Sequence, residues 1–584
     1  MKKKKINPVI ILPGINHSPT YLHDDNGKMI FDIDGKPVGG SFLFPDTQAA
    51  KEKISSLVKK LATVAFIQNT DFVYERAYDV GCAAFAYQKC NMSGDNVRNL
   101  ITKRWLHPVS EMSREDKDWG YLMVPMQRLA AETGEENLYF FTFNLVGDPM
   151  TSANELDEFI ETVREQRKCE KVTLLSVSLG GTILTAYLDL FGHEKIDKIL
   201  NVVSCLDGTP IVSDIFAKNF NTGTEFLHHD FLAEVVKEET GRGTIGYLIN
   251  TFLHILPEGA FNLALSGLID SALDTVMINC PQFWAMIPSF RYDELSMKLI
   301  GDAAHSALKE RTDRFQRARL NLKENLLKAH ADGVEINSIS GSNLNFGEKM
   351  YSIMKVAGSS KMYNSDGIVS LAGATLGATG GADGSKLPEG YKQKYCSDKY
   401  PDYSYISPDG RIDASTAVLP DNTWIFLDQY HEVGRNDAVL TLAKDLITGK
   451  VKDVHTDPVN YPQFNHFCDT YELRRRKIPD AEKILEAAEK GEIAISESRK
   501  AEIREALNLA NSVLNASVGD DEKARAAADN LDRIFRSFGI YSDNNSGEEK
   551  SDIFERIAER ASKSALRYLG GGNLIDRLRK ARNP

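Results

Sequence analysis

Two serines two residues apart, Ser176 and Ser178, close the apolar run "KVTLLSVS", and Leu179, Gly180 and Gly181 lead from there into a helical stretch, "TILTAYLDLF". A strand that enters a helix through Ser-x-Ser-x-Gly has the layout of a sharp turn that lifts a nucleophile above a sheet. Such a turn needs small residues two before and two after the nucleophile. Ser176 and Gly180 are those small residues, which makes Ser178 the nucleophile. Ser178 also opens the following helix, whose free amides and dipole favour developing negative charge. Serine is equally a favoured helix N-cap, so the stretch by itself admits a reading without chemistry.

A serine hydroxyl needs a base, and the base needs a carboxylate to orient it. On a strand-turn-helix scaffold these follow in the order Ser, Asp, His, each in a loop after a later strand. Asp366 lies in "YNSDGIVS", beyond the run "GVEINSIS", and His431 lies in "DQYHEVG", directly beyond "TWIFL". Asp413, in "GRIDASTAVLPD", competes for the acid role because it precedes the same last run. His17 is the competing histidine, close enough to the first strand to line a pocket without acting as the base. Charge on the attacked oxygen needs two backbone amides. Leu179 supplies one, and the loop "LPGINHS" supplies the other through Ile15 or Asn16.

These residues must be carried by a scaffold, and the chain of 584 residues is long enough for two or three domains. Short β-rich runs alternate with helical stretches from Pro8 to Gly449, the pattern of a parallel sheet covered by helices on both faces. The expected strands are Val9 to Leu12, Leu138 to Asn144, Val172 to Val177, Ile199 to Ser204, Val334 to Ser340 and Thr423 to Leu427. The domain reading is a core in two parts, 1–207 and 331–455, interrupted by a helical cap or lid over 208–330 and followed by a helical C-terminal region over 456–584. Within that last region Ile503, Leu507, Ala510 and Leu514 recur on one helical face. A polar linker over 541–552 and the break at Gly570-Gly571-Gly572 precede a basic tail. The tail admits peripheral contact with a membrane or a partner, and equally an ordinary solvated end.

A net charge of −12 argues against nucleic-acid binding through bulk charge. The seven cysteines are scattered without a CxxC pair, which suggests reduced thiols in a cytoplasmic setting rather than a disulfide scaffold or a zinc site. The apolar run after "MKKKK" is too short for a signal peptide, although a leader already trimmed would leave no trace. No phosphate-binding loop or ligand cluster calls for a metal or an organic cofactor.

Several stretches together resemble the lecithin:cholesterol acyltransferase family of α/β-hydrolases. They are "PVIILPGI", "KVTLLSVSLGG", "VVSCLDGTP", "CPQFWAMIP", "GVEINSISG" and "SDGIVSLAGA", in that family's order, over Pro8 to Gly449. The resemblance implies an α/β-hydrolase fold and a serine esterase, lipase, phospholipase or acyltransferase. Ser178, Asp366 and His431 would form its catalytic triad, with Ile15 and Leu179 in its oxyanion hole. The chain departs from the family pattern where Ser176-Val177 replaces a Gly-His pair and where "FNLVGDP" replaces an Asp-Trp-Arg. The apolar, aromatic segments "GYLINTFLHIL" and "PQFWAMIPSF" favour a lipid ester over a polar substrate. The alternative is a non-catalytic protein of the same fold that binds a partner through its C-terminal helices.

Overall fold

The computed structural model describes residues 6–40, 71–219, 258–344, 363–466, 477–491, 495–514 and 521–537, less 16, 34, 383 and 384, and the isolated positions 53 and 473. The chain divides into two compact units, Met1–Asn465 and His466–Pro584. The first is organised by a seven-stranded, mostly parallel sheet. Its strands are β1 (Val9–Leu12), β2 (Leu138–Phe140), β3 (Val172–Val177), β4 (Ile196–Val202), β5 (Glu335–Ser342), β6 (Thr423–Leu427) and β7 (Phe464–His466).

Across the sheet the order is β7-β6-β5-β4-β3-β1-β2. Each pairing from β2 through to β6 is parallel, with Ile10 opposite Leu174 and Tyr139, and Ile199 opposite Leu174 and Ile336. The chain leaves β1 toward one edge and leaves β3 toward the other. The crevice beyond their carboxyl ends is therefore the switch point, where open parallel sheets bind ligands.

Alternation along the strands divides the core into two layers. Ile10, Leu12, Leu174, Ile199 and Ile336 face one layer, while Val9, Ile11, Leu175, Leu200 and Ile339 face the other. The first layer is covered by α1 (Pro149–Arg167), α2 (Gly180–Phe191) and α3 (Ser306–Ala331). Helix α1 starts where the sequence provides a start, with the Asp148 side chain accepting the Met150 amide at 2.9 Å and Pro149 in the first turn. The second layer is covered in part by α4 (Asp437–Ile447), capped by Asn436.

Among the described residues, the expected insertion is helical throughout. Its described helices join the main core: Trp284, Ile300, Phe315, Leu322 and Leu326 belong to the same apolar cluster as Ile10 and Leu174. Residues 220–257, which include "GYLINTFLHIL", lie outside the described residues.

Three expected strands have the expected ends. The strand expected at Leu138 to Asn144 stops at Phe140, and that expected at Ile199 to Ser204 runs from Ile196 to Val202, with Ile196 and Lys198 paired to Val172 and Thr173 and the register shifting at Asp197. The strand expected at Val334 to Ser340 runs instead from Glu335 to Ser342. The edge strand β7 falls within the stretch expected to be helical, and the unit boundary lies after Asn465 rather than after 455.

In the second unit, α5 (Ile478–Glu489), α6 (Glu497–Leu514) and α7 (Asp521–Ser537) share a separate core that includes Ile484, Ile503, Leu531 and Phe535. Ile503, Leu507 and Ala510 are buried there as their spacing requires. The Leu514 side chain, the linker, the glycine triplet and the basic tail lie outside the described residues. Among the described residues, no helix is long and apolar enough to cross a membrane.

Candidate active site

Strand β3 ends at Val177, and Ser178 takes the left-handed conformation at φ 51°. That conformation costs a non-glycine residue about 1–3 kcal/mol and persists only where its surroundings enforce it. Three contacts do so. The Ser178 amide donates to Val202 O at 3.2 Å, while its carbonyl accepts from Gly181 N at 3.0 Å and Cys205 N at 2.8 Å. Gly180 is obligatory for a different reason, because a Cβ there would lie 2.2 Å from Leu12 O.

The serine that stands two residues before the nucleophile is accommodated by pairing. Ser176 Oγ lies 3.0 Å from Ser204 Oγ, and Ser204 Oγ donates to Ser176 O at 2.8 Å. Ser204 has spent its proton on that carbonyl, so Ser176 is the donor between the two hydroxyls. A fully buried hydroxyl is thereby satisfied inside the strand.

His431 stands in the loop beyond β6, and Asp366 in the loop beyond β5. His431 Nε2 is 2.8 Å from Ser178 Oγ, and His431 Nδ1 is 2.7 Å from Asp366 Oδ2. Asp366 is wholly buried, which is costly for a carboxylate unless hydrogen bonds hold it. Its Oδ1 accepts the amides of Ile368 at 2.9 Å and Val369 at 2.7 Å. The backbone repeats the contact, with His431 N donating to Asp366 O at 3.0 Å. Gly341 in β5 makes room for this meeting, since a Cβ there would come within 2.8 Å of Asp366 Cβ and 2.3 Å of Gln429 O.

The polarity of the relay follows from the partners. Asp366 can only accept at Oδ2 when ionised, so His431 carries its proton on Nδ1 and presents the Nε2 lone pair to the Ser178 hydroxyl. Such an arrangement can take the serine proton during attack on a carbonyl and return it to a leaving group. Ser178 is partly exposed, so the hydroxyl is within reach from outside the fold.

The competing acid is elsewhere. Asp413 is fully buried, and its carboxylate accepts from Ser415 N at 2.8 Å and from the Tyr391 hydroxyl at 2.9 Å, as the cap of a short helical turn. Asp366, and not Asp413, meets His431.

Leu179 starts the helical conformation directly after Ser178. The first amides of a helix have no partner within it, and no acceptor among the described residues takes the Leu179 N–H. Ile15 lies in the turn after β1, which His17 N closes by donating to Gly14 O at 3.2 Å. Asn16, the alternative to Ile15, lies outside the described residues. Among the described residues, no group of three or more His, Cys, Asp or Glu could hold a metal ion.

No protein-family model matches the chain. No characterised protein matches its sequence. A crystal structure of a Tle4–Tli4 complex aligns with 58% of this chain and 75% of that one, at 12% identity and a TM-score of 0.23. A likeness of that degree carries no argument about fold or function.

One neighbour of the site was visible in the sequence only as a competitor for the base. His17 and Ser178 both flank Gly14: a Cβ placed on that glycine would be 3.2 Å from Ser178 Cβ and 3.4 Å from His17 Cε1. The Gly14 amide donates to His17 Nδ1 at 3.1 Å. The signal that could have found it is the Gly-x-x-His spacing, which suits a four-residue turn closed between its first and last members. Burial, and then the proximity of His431, lower the His17 imidazole to about 4, so it is neutral near pH 7.

Proposed function

We propose that the chain is a serine hydrolase of carboxylic esters, with Ser178 as nucleophile, His431 as general base and acid, and Asp366 as the orienting carboxylate. The observation that carries this reading is the continuous relay from Asp366 through His431 to a serine held at φ 51°. Backbone strain at Ser178, with His431 on its hydroxyl and Asp366 behind His431, is stability given up at one residue, which favours a chemical role for that hydroxyl.

The sheet supports the finer reading of an α/β-hydrolase fold. The nucleophile follows β3, the acid follows β5 and the histidine follows β6, all at the carboxyl ends of parallel strands, with the site at the switch point. The ordered motifs that resemble the lecithin:cholesterol acyltransferase family support placing the chain in that branch. The proposed substrate is a lipid ester.

In the first step Ser178 Oγ attacks the carbonyl carbon while its proton passes to His431 Nε2, and the oxygen takes up negative charge against the amides of Leu179 and Ile15. The C–O bond to the alcohol then breaks, and Nε2 returns the proton to the departing alcohol. Water, or an acceptor alcohol, attacks the resulting acyl-serine by the same route.

Labelling with a fluorophosphonate, located by mass spectrometry, tests this. An adduct on Ser178 that is lost in His431→Ala is the expected result. No adduct in folded protein, with detergent present, would overturn the reading and favour a binding protein.

A further inference from the structure

We propose that His17 is a further catalytic residue of this site, donating a hydrogen bond from its Nε2–H to the ester carbonyl oxygen as that oxygen becomes charged. The proposal rests on the reading of Ser178 as the nucleophile.

Place comes first. His17 belongs to the loop after β1, whereas Asp366 and His431 follow β5 and β6. In the sheet, β1 lies on one side of β3 and these two strands lie on the other. The loop that carries His17 therefore approaches the nucleophile turn from the flank opposite the loops of Asp366 and His431. That is the flank from which the loop after the first strand supplies donors to the attacked oxygen. Gly14 lies between the two: a Cβ there would be 3.2 Å from Ser178 Cβ and 3.4 Å from His17 Cε1, so the ring and the nucleophile flank the same glycine.

The tautomer is set by the turn. Gly14 N–H donates to Nδ1 at 3.1 Å, so Nδ1 is the acceptor and the ring proton sits on Nε2. Neighbouring anchors hold the ring in place: His17 N is tied to Gly14 O, and the adjacent Ser18 Oγ accepts the Phe143 amide at 3.2 Å. No acceptor among the described residues takes the Nε2–H of His17, and the residue is partly exposed.

Protonation state fits the same role. As a neutral imidazole His17 adds no positive charge beside His431, which must itself become an imidazolium during attack. A general-base role is excluded by the same geometry, because the lone pair of His17 is already taken. The Gly14 amide is spent on Nδ1, but its polarity is passed on, since a bond accepted at Nδ1 strengthens the donor at Nε2.

The test compares wild type with His17→Phe, which keeps a ring without a donor, and His17→Gln, whose amide nitrogen falls near the position of Nε2. The measurements are kcat and KM on 4-nitrophenyl butyrate, and the affinities of a trifluoromethyl ketone, which forms an oxyanion on Ser178, and of the matching methyl ketone, which does not accumulate one. Removing one such donor costs about 10²–10³-fold in kcat. His17→Phe is expected to lose that much with KM nearly unchanged, and to weaken the trifluoromethyl ketone by a similar factor while sparing the methyl ketone. His17→Gln is expected to recover at least about tenfold of the loss. Turnover by folded His17→Phe within about threefold of wild type would overturn the proposal. So would equal loss of both ketones with no advantage for glutamine, which marks a purely structural residue. If His17→Phe fails to fold, the comparison moves to His17→Gln against His17→Asn, whose amide falls near Nδ1, and asparagine matching glutamine is then the refuting result. A fluorophosphonate adduct on wild-type Ser178 separates these outcomes from failure of the hydrolase reading itself.

Discussion

His431 and His455 each hold an aspartate, the first in a buried pair with Asp366 at 2.7 Å and the second in a part-buried pair with Asp421 at 2.8 Å. Both rings are buried, and the two pairs belong to opposite ends of one strand: His431 follows the carboxyl end of β6, and Asp421 precedes its amino end. Their surroundings differ. Tyr400 stacks on His455 with centroids 3.6 Å apart, Tyr403 meets it edge-on at 4.5 Å, and the Tyr405 hydroxyl donates to the same Asp421 carboxylate. The second nitrogen of His431 faces a serine hydroxyl instead. A histidine–carboxylate contact is therefore no mark of catalysis in itself. What separates the pairs is the group on the far side of the ring and the end of the sheet at which the pair sits, since ligands of parallel sheets gather at carboxyl ends.

The largest effects should break that contrast outright. Ser178→Ala and His431→Ala should each lower the hydrolysis of 4-nitrophenyl esters by about 10⁴-fold or more, as losses from such a triad do. His455→Phe should leave kcat within about threefold of wild type. Comparable loss from both histidine variants would show that the distinction drawn here is wrong. Asp366→Asn should cost about 10⁴-fold in kcat by releasing the wrong tautomer, with little change in melting temperature relative to Asp421→Asn.

A third histidine extends the comparison to acid. The folded state holds His17 at about 4, below the usual value of 6.5, so the unfolded chain takes up its proton first as the pH falls. The stabilising contribution is complete above about 6.5 and is lost as the pH drops toward 4, by at most about 3 kcal/mol. Urea unfolding across that range should show the decline in wild type and a shallower one in His17→Phe.

Smaller effects come from the second pair. Asp421→Asn should cost roughly 1–3 kcal/mol of stability by removing the charged acceptor of His455 and Tyr405, with activity retained. The smallest stability effect is expected of Ser178→Gly, which should raise stability by roughly 1 kcal/mol while abolishing activity, because glycine accepts φ 51° without strain. Thermal melts of this variant and Ser178→Ala, which keeps the strained conformation, should separate strain from the loss of the hydroxyl.

The parts of this protein that could be read directly are those where one local pattern suffices. Val9 to Leu12, Val172 to Val177 and Thr423 to Leu427 are continuous apolar runs, and strands buried on both faces have that composition. Ser178 was legible because the sharp turn demands small neighbours. Strand β7 was not, since three residues, Phe464, Asn465 and His466, have no measurable period. Nor were the start of β4, where Lys198 joins the ladder, and the end of β5, where Gly341 and Ser342 pair with Phe426 and Leu427.

By itself the sequence determined which residue types stand at the ends of which strands, and hence the order Ser178, Asp366, His431. The choice between Asp366 and Asp413 belonged to the tertiary structure alone. Both lie in turn-rich loops between the same two strands, and only the packing of the 366 loop over Gly341 brings one carboxylate to the imidazole. The neutral His17 beside the nucleophile is likewise a product of the fold. Its tautomer is set by a backbone amide, and its low proton affinity by burial and by a histidine more than four hundred positions away in the chain, which no local pattern encodes.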